Sequence, residues 1–125
     1  MSHTKGSLVI KNGAVLLPDD TISTNDVLIE DGIIHSIGLD LSAGTSIDAT
    51  GLTVLPGLID IHTHGIGRVS TDEGSLEEYA RIEASRGTTT FYPTLFGPPE
   101  TSIRNLARFM SETDNLKTVP QIAGF

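Results

Sequence analysis

A length of 125 residues is that of one ordinary domain. A formal net charge of −8 argues against nucleic acid as a partner, because binding to a phosphate backbone needs clustered Lys and Arg. The chain has no cysteine, which excludes disulfides and thiolate ligands and fits a cytoplasmic protein, and no run is long and apolar enough to make a membrane a partner.

Residues 1–55 are predicted to form an antiparallel β module, an incomplete composite sandwich of short strands. Two dipeptides that tolerate positive φ, Asn12–Gly13 and Asp31–Gly32, each lie between apolar segments and predict two-residue hairpins. A further turn is predicted at residues 18–20, and another at Thr50–Gly51. The strands are predicted over residues 7–11, 14–17, 26–30, 33–38, 45–49 and 52–55.

Residues 56–125 are predicted to form the start of a parallel (β/α) barrel domain. The segment GLIDIHTH is nearly continuous in its apolar character, as expected of a strand buried on both faces. After a glycine-rich loop, Ser75 and Glu78 form a capping box that predicts a helix ending before Gly87. TTTFYP predicts a second strand, and QIAGF the start of a third.

A second helix is predicted to open at Pro98–Pro99 and to pack through an apolar stripe. The stripe consists of Ile103, Leu106, Ala107 and Met110. The resulting order of strand, helix, strand, helix and strand is the unit of parallel α/β folds, here cut off inside its third strand. The fold class is therefore α/β, with a β module followed by a truncated barrel.

The segment PGLIDIHTHG carries the chemistry. Side chains alternate along a strand, so Asp60, His62 and His64 project to one side. In a parallel barrel the C-terminal ends of the strands hold the functional residues. Two neutral imidazoles are good ligands for zinc, iron or nickel, and Asp60 is interpreted as the acceptor that orients a histidine ring.

Other polar residues have weaker interpretations. Arg68 in the loop and Thr94 at the end of the second strand are candidates for substrate binding, although a solvated arginine and a packing threonine are alternatives. His35 is interpreted as a structural histidine. The glutamates of the first helix are interpreted as its solvated face; they are Glu77, Glu78 and Glu83.

On these residues the chain resembles the amidohydrolase superfamily, the metal-dependent hydrolases of the urease and dihydroorotase type. Its β module leading into Pro-Gly-x-x-Asp-x-His-x-His resembles the first barrel strand of that superfamily. The segments HTHGIG, GTTTFYPTL and QIAGF most resemble N-acetylglucosamine-6-phosphate deacetylases. The resemblance implies hydrolysis of the N-acetyl amide of an amino-sugar phosphate, giving glucosamine 6-phosphate and acetate.

The resemblance also implies a divalent metal cofactor (zinc, iron or similar) that polarises the amide carbonyl, with a carboxylate as general base. His62 and His64 match the family's ligands from the first strand. The family's glutamate ligand, later histidines and catalytic aspartate would follow residue 125, so no catalytic residue is assigned in this chain. We expect the 125-residue chain to be inactive on its own.

Two alternatives remain open. Another amidohydrolase of the dihydroorotase, hydantoinase or amino-acylase type fits the same motif, and a metal-bridging lysine from a later strand would favour the first two. The second alternative is that the chain is a non-catalytic fragment that associates with copies of itself. An open sheet edge and unburied apolar helix faces favour a homo-oligomer in either case.

Overall fold

A computed structural model describes residues 6–72, 74–113 and 120–124. The chain divides into two compact units, Met1–Pro56 and Gly57–Phe125, which we describe separately. The division falls one residue after the boundary placed between the β module and the barrel segment from the sequence. No helix in the described ranges is long and apolar enough to cross a membrane. The cytoplasmic location stays a prediction.

The described strands of the first unit form one mixed sheet. They are β1 (Ser7–Leu16), β2 (Ile22–Glu30), β3 (Ile33–Gly38), β4 (Thr45–Asp48) and β5 (Thr53–Val54). The sheet order is β3-β2-β1-β4, with β5 also paired to β1, and both β4 and β5 run parallel to β1. The prediction of a purely antiparallel module is therefore wrong, because the chain crosses from β3 to the far side of β1 before β4.

The first predicted hairpin is also wrong, because Asn12–Gly13 lies inside one long strand. Ile10 pairs with Val27 and Gly13 with Asn25, so two residues of β1 oppose Asp26 in a β-bulge. Asn12 takes a φ of +60° there, and its backbone N–H donates to the Asp26 carboxylate at 2.9 Å. The positive φ of Asn12 therefore occurs in a β-bulge and not in the predicted turn.

The predicted turns on either side of β2 are confirmed. Glu30 pairs with Ile33, and Asp31 and Gly32 have φ of +52° and +81°, as a two-residue hairpin with positive φ at both positions requires. Between β1 and β2 the backbone N–H of Asp20 donates to the carbonyl of Leu17 at 3.0 Å, which closes the other turn.

The second unit is built around three parallel strands in the order β10-β9-β6. Its elements are β6 (Leu58–Thr63), β7 (Gly65–Ile66), β8 (Val69–Ser70), α1 (Leu76–Ser85), β9 (Thr88–Pro93), α2 (Pro99–Thr113) and β10 (Gln121–Ile122). The predicted strand–helix–strand–helix–strand order is confirmed within the described residues. The predicted third strand extends to Phe125, which lies outside them. The glycine-rich loop contains an antiparallel hairpin, β7–β8, that the sequence did not predict.

Helix α1 begins and ends as predicted. The Ser75 hydroxyl accepts a hydrogen bond from the backbone N–H of Glu78, and Gly87 follows the helix with a φ of +89°. The helix packs on the sheet through side chains spaced i, i+3, i+4 and i+7, namely Leu76, Tyr79, Ala80 and Glu83. Glu83 is only 3% exposed, so its assignment to the solvated face is wrong; its position in this stripe places it inward.

Helix α2 packs through a different face from the predicted one. Phe109 is 1% exposed and belongs to the core cluster, whereas Ile103 and Met110 are 69% and 61% exposed. The Asn105 side-chain amide, one turn before Phe109, donates to the carbonyl of Asp72 at 2.9 Å. This contact and Phe109 turn the predicted apolar stripe outward.

Strand β6 does not have two buried faces. Leu58, Ile59 and Ile61 are 57%, 62% and 77% exposed, although Thr63 at the end of the strand is buried. The strand lies at the edge of the described sheet, where β9 is its partner. The continuous apolar character of this segment therefore predicted the strand correctly. The burial of both its faces, which the same character predicted, is absent in the described structure.

Candidate metal-binding site

The two candidate ligands lie where β6 ends beside the end of β9. Thr63 pairs with Pro93, and the backbone N–H of Thr94 donates to the Thr63 carbonyl at 2.7 Å. His62 and His64 flank Thr63, and since successive side chains alternate, both are exposed while Thr63 is buried. The parallel pairing of β6 with β9 thus brings Thr94 next to both imidazoles.

The two histidines converge on one point. The Nε2 atoms of His62 and His64 are 3.1 Å apart, and the ring planes are perpendicular with centroids 4.7 Å apart. Both residues are exposed, so this point is open to solvent. The sequence placed these side chains on one side of a strand, and the structure brings their distal nitrogens together.

The proximal nitrogens both contact Thr94. The Nδ1 of His64 is 3.0 Å from the Thr94 carbonyl oxygen, and the Nδ1 of His62 is 3.3 Å from the Thr94 hydroxyl. The Asp60 carboxylate instead accepts a hydrogen bond from the backbone N–H of His62 at 3.1 Å. Orientation of an imidazole by Asp60 stays a prediction, and in the structure Thr94 contacts the Nδ1 atoms of both rings.

Arg68 lies away from these contacts, in the exposed turn between β7 and β8 beside Gly67, which has a φ of +63°. Among the residues that the structure describes, no hydrogen bond or ion pair joins Arg68 to the two histidines. Its role in binding an anionic substrate stays a prediction. His35 is exposed on β3 of the first unit, with its Nδ1 3.3 Å from the Glu30 carboxylate.

Two residues near the histidines, Thr71 and Phe96, were not predicted from the sequence. The Thr71 hydroxyl is within 2.8 Å of the Thr94 carbonyl and 3.0 Å of the His64 carbonyl, and the exposed ring of Phe96 meets that of His64 edge-on at 5.2 Å. These contacts join positions 7 to 32 residues apart, which no local spacing reveals.

The buried Tyr79 of α1 contacts the same end of β6 through Thr63. Its hydroxyl is hydrogen-bonded to the Thr63 hydroxyl, and burial raises the pKa of the Tyr79 phenol above its ordinary value. Its ring packs edge-on against Phe91 of β9 at 5.4 Å. The buried tyrosine therefore links helix, β9 and the residue between the two histidines.

The donor set fits one divalent cation. Zinc–imidazole bonds are about 2.0–2.1 Å long, so two of them together exceed the 3.1 Å between the Nε2 atoms, and one ion can contact both. No cluster of three or more potential ligands occurs among the described residues. His62 and His64 would therefore supply two adjacent positions of a site, with the others left for further ligands.

Comparison with curated proteins finds relatives among hydrolases. Dihydroorotase of Halalkalibacterium halodurans is 37% identical over 84 residues, covering 66% of this chain and 20% of that enzyme. Allantoinase of Enterococcus faecalis is 44% identical over 91 residues, covering 70% of this chain and 20% of that enzyme. The chain thus spans about a fifth of the length of the curated relatives it matches. No family model matches it.

Solved structures give the same picture. A D-hydantoinase superposes with a TM-score of 0.63 at 33% identity, over 86% of this chain and 24% of that one. N-acetylglucosamine-6-phosphate deacetylase from Pasteurella multocida superposes with a TM-score of 0.72 over 91% of this chain and 32% of that one, but at 20% identity this likeness shows the fold alone.

These homologues are dihydroorotase, allantoinase and hydantoinase, hydrolases of the amidohydrolase superfamily, whose barrels agree with the predicted α/β fold. The similarity to that superfamily is confirmed. The closer similarity to sugar-phosphate deacetylases is not, since the named relatives favour the alternative that was left open in the sequence.

Proposed function

We propose that this chain is the N-terminal part of a metal-dependent amidohydrolase that opens the amide bond of a small ring. The observation that carries the proposal is the convergence of His62 and His64 at the C-terminal end of β6, with Nε2 atoms 3.1 Å apart. Parallel α/β enzymes place their chemistry at that end of the strands. The similarity to dihydroorotase and allantoinase supports the same reading.

The residues of this chain have a limited part in such a reaction. A divalent ion held by His62 and His64 would polarise an amide carbonyl and lower the pKa of water. Thr94 and Thr71 fix the rings and the backbone around that position. The open side of the site leaves room for a substrate, and Arg68 is the proposed contact for its anionic group.

The choice of a ring amide comes from the relatives. Dihydroorotate, allantoin and hydantoins, the compounds that the relatives' names denote, each carry an amide within a small ring. A second candidate is deacetylation of an amino-sugar phosphate, which the segments HTHGIG and GTTTFYPTL favour. The higher sequence identities of the allantoinase and the D-hydantoinase support the ring amide as the first candidate.

Metal binding tests the site in this chain. We expect calorimetric titration with Zn²⁺ to show an affinity that falls at least about tenfold in a His62→Ala/His64→Ala variant, because both imidazole ligands are removed. The matched control is His35→Ala, an exposed histidine of the first unit, and its affinity should equal that of the unaltered chain. Equal affinities in all three proteins would contradict the proposal.

Substrate assays test the reaction. The gene is expressed through its whole reading frame and the product is assayed with dihydroorotate, allantoin, a substituted hydantoin and N-acetylglucosamine 6-phosphate. We expect turnover of a ring amide and none of the sugar phosphate; the reverse result would establish the deacetylase instead. The 125-residue chain by itself is expected to show no turnover above a His62→Ala control.

A further inference from the structure

We propose that Thr94 is a positioning residue that sets the tautomers of both histidines, so that the two Nε2 atoms present lone pairs to the same point. The inference rests on the proposed metal site, but its central observation concerns protons in the metal-free chain. One residue at the end of β9 contacts the Nδ1 atoms of both rings, through its backbone carbonyl and its hydroxyl.

The tautomer of His64 follows from the Thr94 carbonyl. A carbonyl oxygen accepts hydrogen bonds and never donates them, so the Nδ1 of His64, 3.0 Å away, must carry the proton. A neutral imidazole has one N–H, and its other nitrogen is an acceptor. The Nε2 of His64 therefore bears a lone pair, which is the form that binds a metal.

The tautomer of His62 follows from the Thr94 hydroxyl. A threonine hydroxyl has a single proton, and the inferred arrangement directs it to the carbonyl of Tyr92, 3.4 Å away, which can only accept a hydrogen bond. The hydroxyl oxygen is then an acceptor for the Nδ1–H of His62, 3.3 Å away. The proton chain runs from His62 through Thr94 to Tyr92, and the Nε2 of His62 also bears a lone pair.

Two lone pairs 3.1 Å apart repel each other, and a cation between them removes that repulsion. Neither Nε2 can donate to the other while both Nδ1 atoms are protonated. The two contacts of Thr94 therefore oppose a direct hydrogen bond between the rings and favour a shared cation.

The position of Thr94 is itself fixed from two sides. The backbone N–H of Thr94 donates to the Thr63 carbonyl at 2.7 Å. The hydroxyl of the buried Thr71 donates to the Thr94 carbonyl oxygen at 2.8 Å. A group held in this way can orient a ring in the manner of the outer partners of metal-bound histidines. The substrate contact that the sequence suggested for Thr94 stays a prediction.

The test separates the carbonyl from the hydroxyl. Thr94→Val removes the hydroxyl and keeps the carbonyl, so long-range ¹H–¹⁵N spectra of the metal-free chain at pH 8 should show His62 shifting toward the Nε2–H tautomer while His64 remains Nδ1–H. Thr94→Ser should restore His62. Thr89→Val, an exposed position on the same strand, is the matched control and should change neither ring.

Zinc affinity gives the second measurement. We expect it to fall about 10–100-fold in Thr94→Val and to stay within about threefold of the original in Thr94→Ser. An Nε2–H tautomer at His62 or His64 in the unaltered chain would overturn the inference, even if the valine variant fails to fold. Unchanged tautomers in a folded Thr94→Val would do the same.

Different results would contradict the proposed metal site and the proposed positioning role of Thr94. A chain that binds no Zn²⁺ but has both rings in the Nδ1–H form contradicts the metal site and leaves the positioning role of Thr94 intact. A chain that binds Zn²⁺ equally well with threonine or valine at this position contradicts the positioning role and leaves the metal site intact.

Discussion

Asp26 is a carboxylate whose hydrogen bonds hold three segments of the first unit together. It is 4% exposed, and it accepts from the Lys11 ammonium at 2.6 Å, the Asn12 backbone at 2.9 Å and the Leu41 backbone at 3.1 Å. The Lys11 ammonium, and then the Asn12 backbone, lower the pKa of Asp26 below its ordinary value. The ionised form thus fixes both the β-bulge of β1 and the crossover after β3.

This lowered pKa makes stability depend on pH. Because the pKa of Asp26 is lower in the folded than in the unfolded chain, its contribution is complete above the unfolded value of about 3.9 and is lost as the pH falls through the folded value. We expect Asp26→Asn to lower the Tm at pH 7 by several degrees. Below about pH 4, the Tm of the variant should decrease less than the Tm of the unaltered chain.

Thermal unfolding followed by circular dichroism from pH 2.5 to 7 checks this expectation. Asp20→Asn is the matched control, since that carboxylate lies in an exposed turn. Parallel curves for the unaltered chain and Asp26→Asn would contradict the assigned role.

Tyr79 carries a second prediction at the residue scale. Tyr79→Phe removes the hydroxyl that bonds to Thr63 in a buried position, which leaves the Thr63 hydroxyl without that partner. We expect a loss of about 1–3 kcal/mol in the free energy of unfolding, measured by urea denaturation. Tyr92→Phe, on the exposed side of β9, is the control and should change it by less than about 0.5 kcal/mol. Equal losses would show that the buried contact is not responsible.

At the scale of elements, two Gly-containing dipeptides of the first unit, Asn12–Gly13 and Asp31–Gly32, show what local sequence can decide. Asp31–Gly32 forms the predicted hairpin, whereas Asn12–Gly13 forms a bulge although it has the same local preference for positive φ. The difference comes from Asp26, far away in the chain, which binds the Asn12 backbone, and from the parallel strands that pair with β1 on its other side. A local pattern contains neither partner.

The bulge gives a prediction for one glycine. A Cβ on Gly13 would lie 2.5 Å from the Val54 side chain, because β5 passes close to β1 there. We expect Gly13→Ala to lower the Tm by several degrees or to displace β5, with about 1–3 kcal/mol lost to overpacking. Gly38→Ala is the control, since no atom lies within 4 Å of its added Cβ. A Gly13→Ala chain as stable as the Gly38→Ala chain would contradict this packing.

In the candidate site, too, some features follow from local sequence and others depend on distant segments. The spacing of His62 and His64 along one strand was enough to predict that both project to one side, because period two is a local property. Thr71 and Phe96 come from later segments, and their contacts to His64 and Thr94 depend on how β9 lies beside β6. Thr94 was predicted to be near the site from its place at a strand end, although its contact to both rings was not.

For the whole molecule, the exposed apolar surface of the second unit is the main consequence of the fold. Ile59 and Ile61 of the edge strand β6 are 62% and 77% exposed, and α2 exposes Ile103 and Met110. The exposed edge and apolar side chains together favour association. The matched part of this chain is only 20% of each of the two curated relatives, so in those enzymes further chain is available to cover such surfaces.

Self-association is therefore the prediction that belongs to the molecule as a whole. We expect light scattering after size exclusion to give a mass above the 13.3 kDa of one chain, rising with concentration. Ile59→Lys/Ile61→Lys should return the mass toward one chain, because two charges on an edge strand oppose pairing with another copy. The matched control, Leu39→Lys/Leu52→Lys, adds the same charge at two positions of the first unit that lie outside its strands and are 71% and 60% exposed. An equal decrease in both variants would assign the effect to net charge, and a constant 13.3 kDa in the unaltered chain would contradict association through β6.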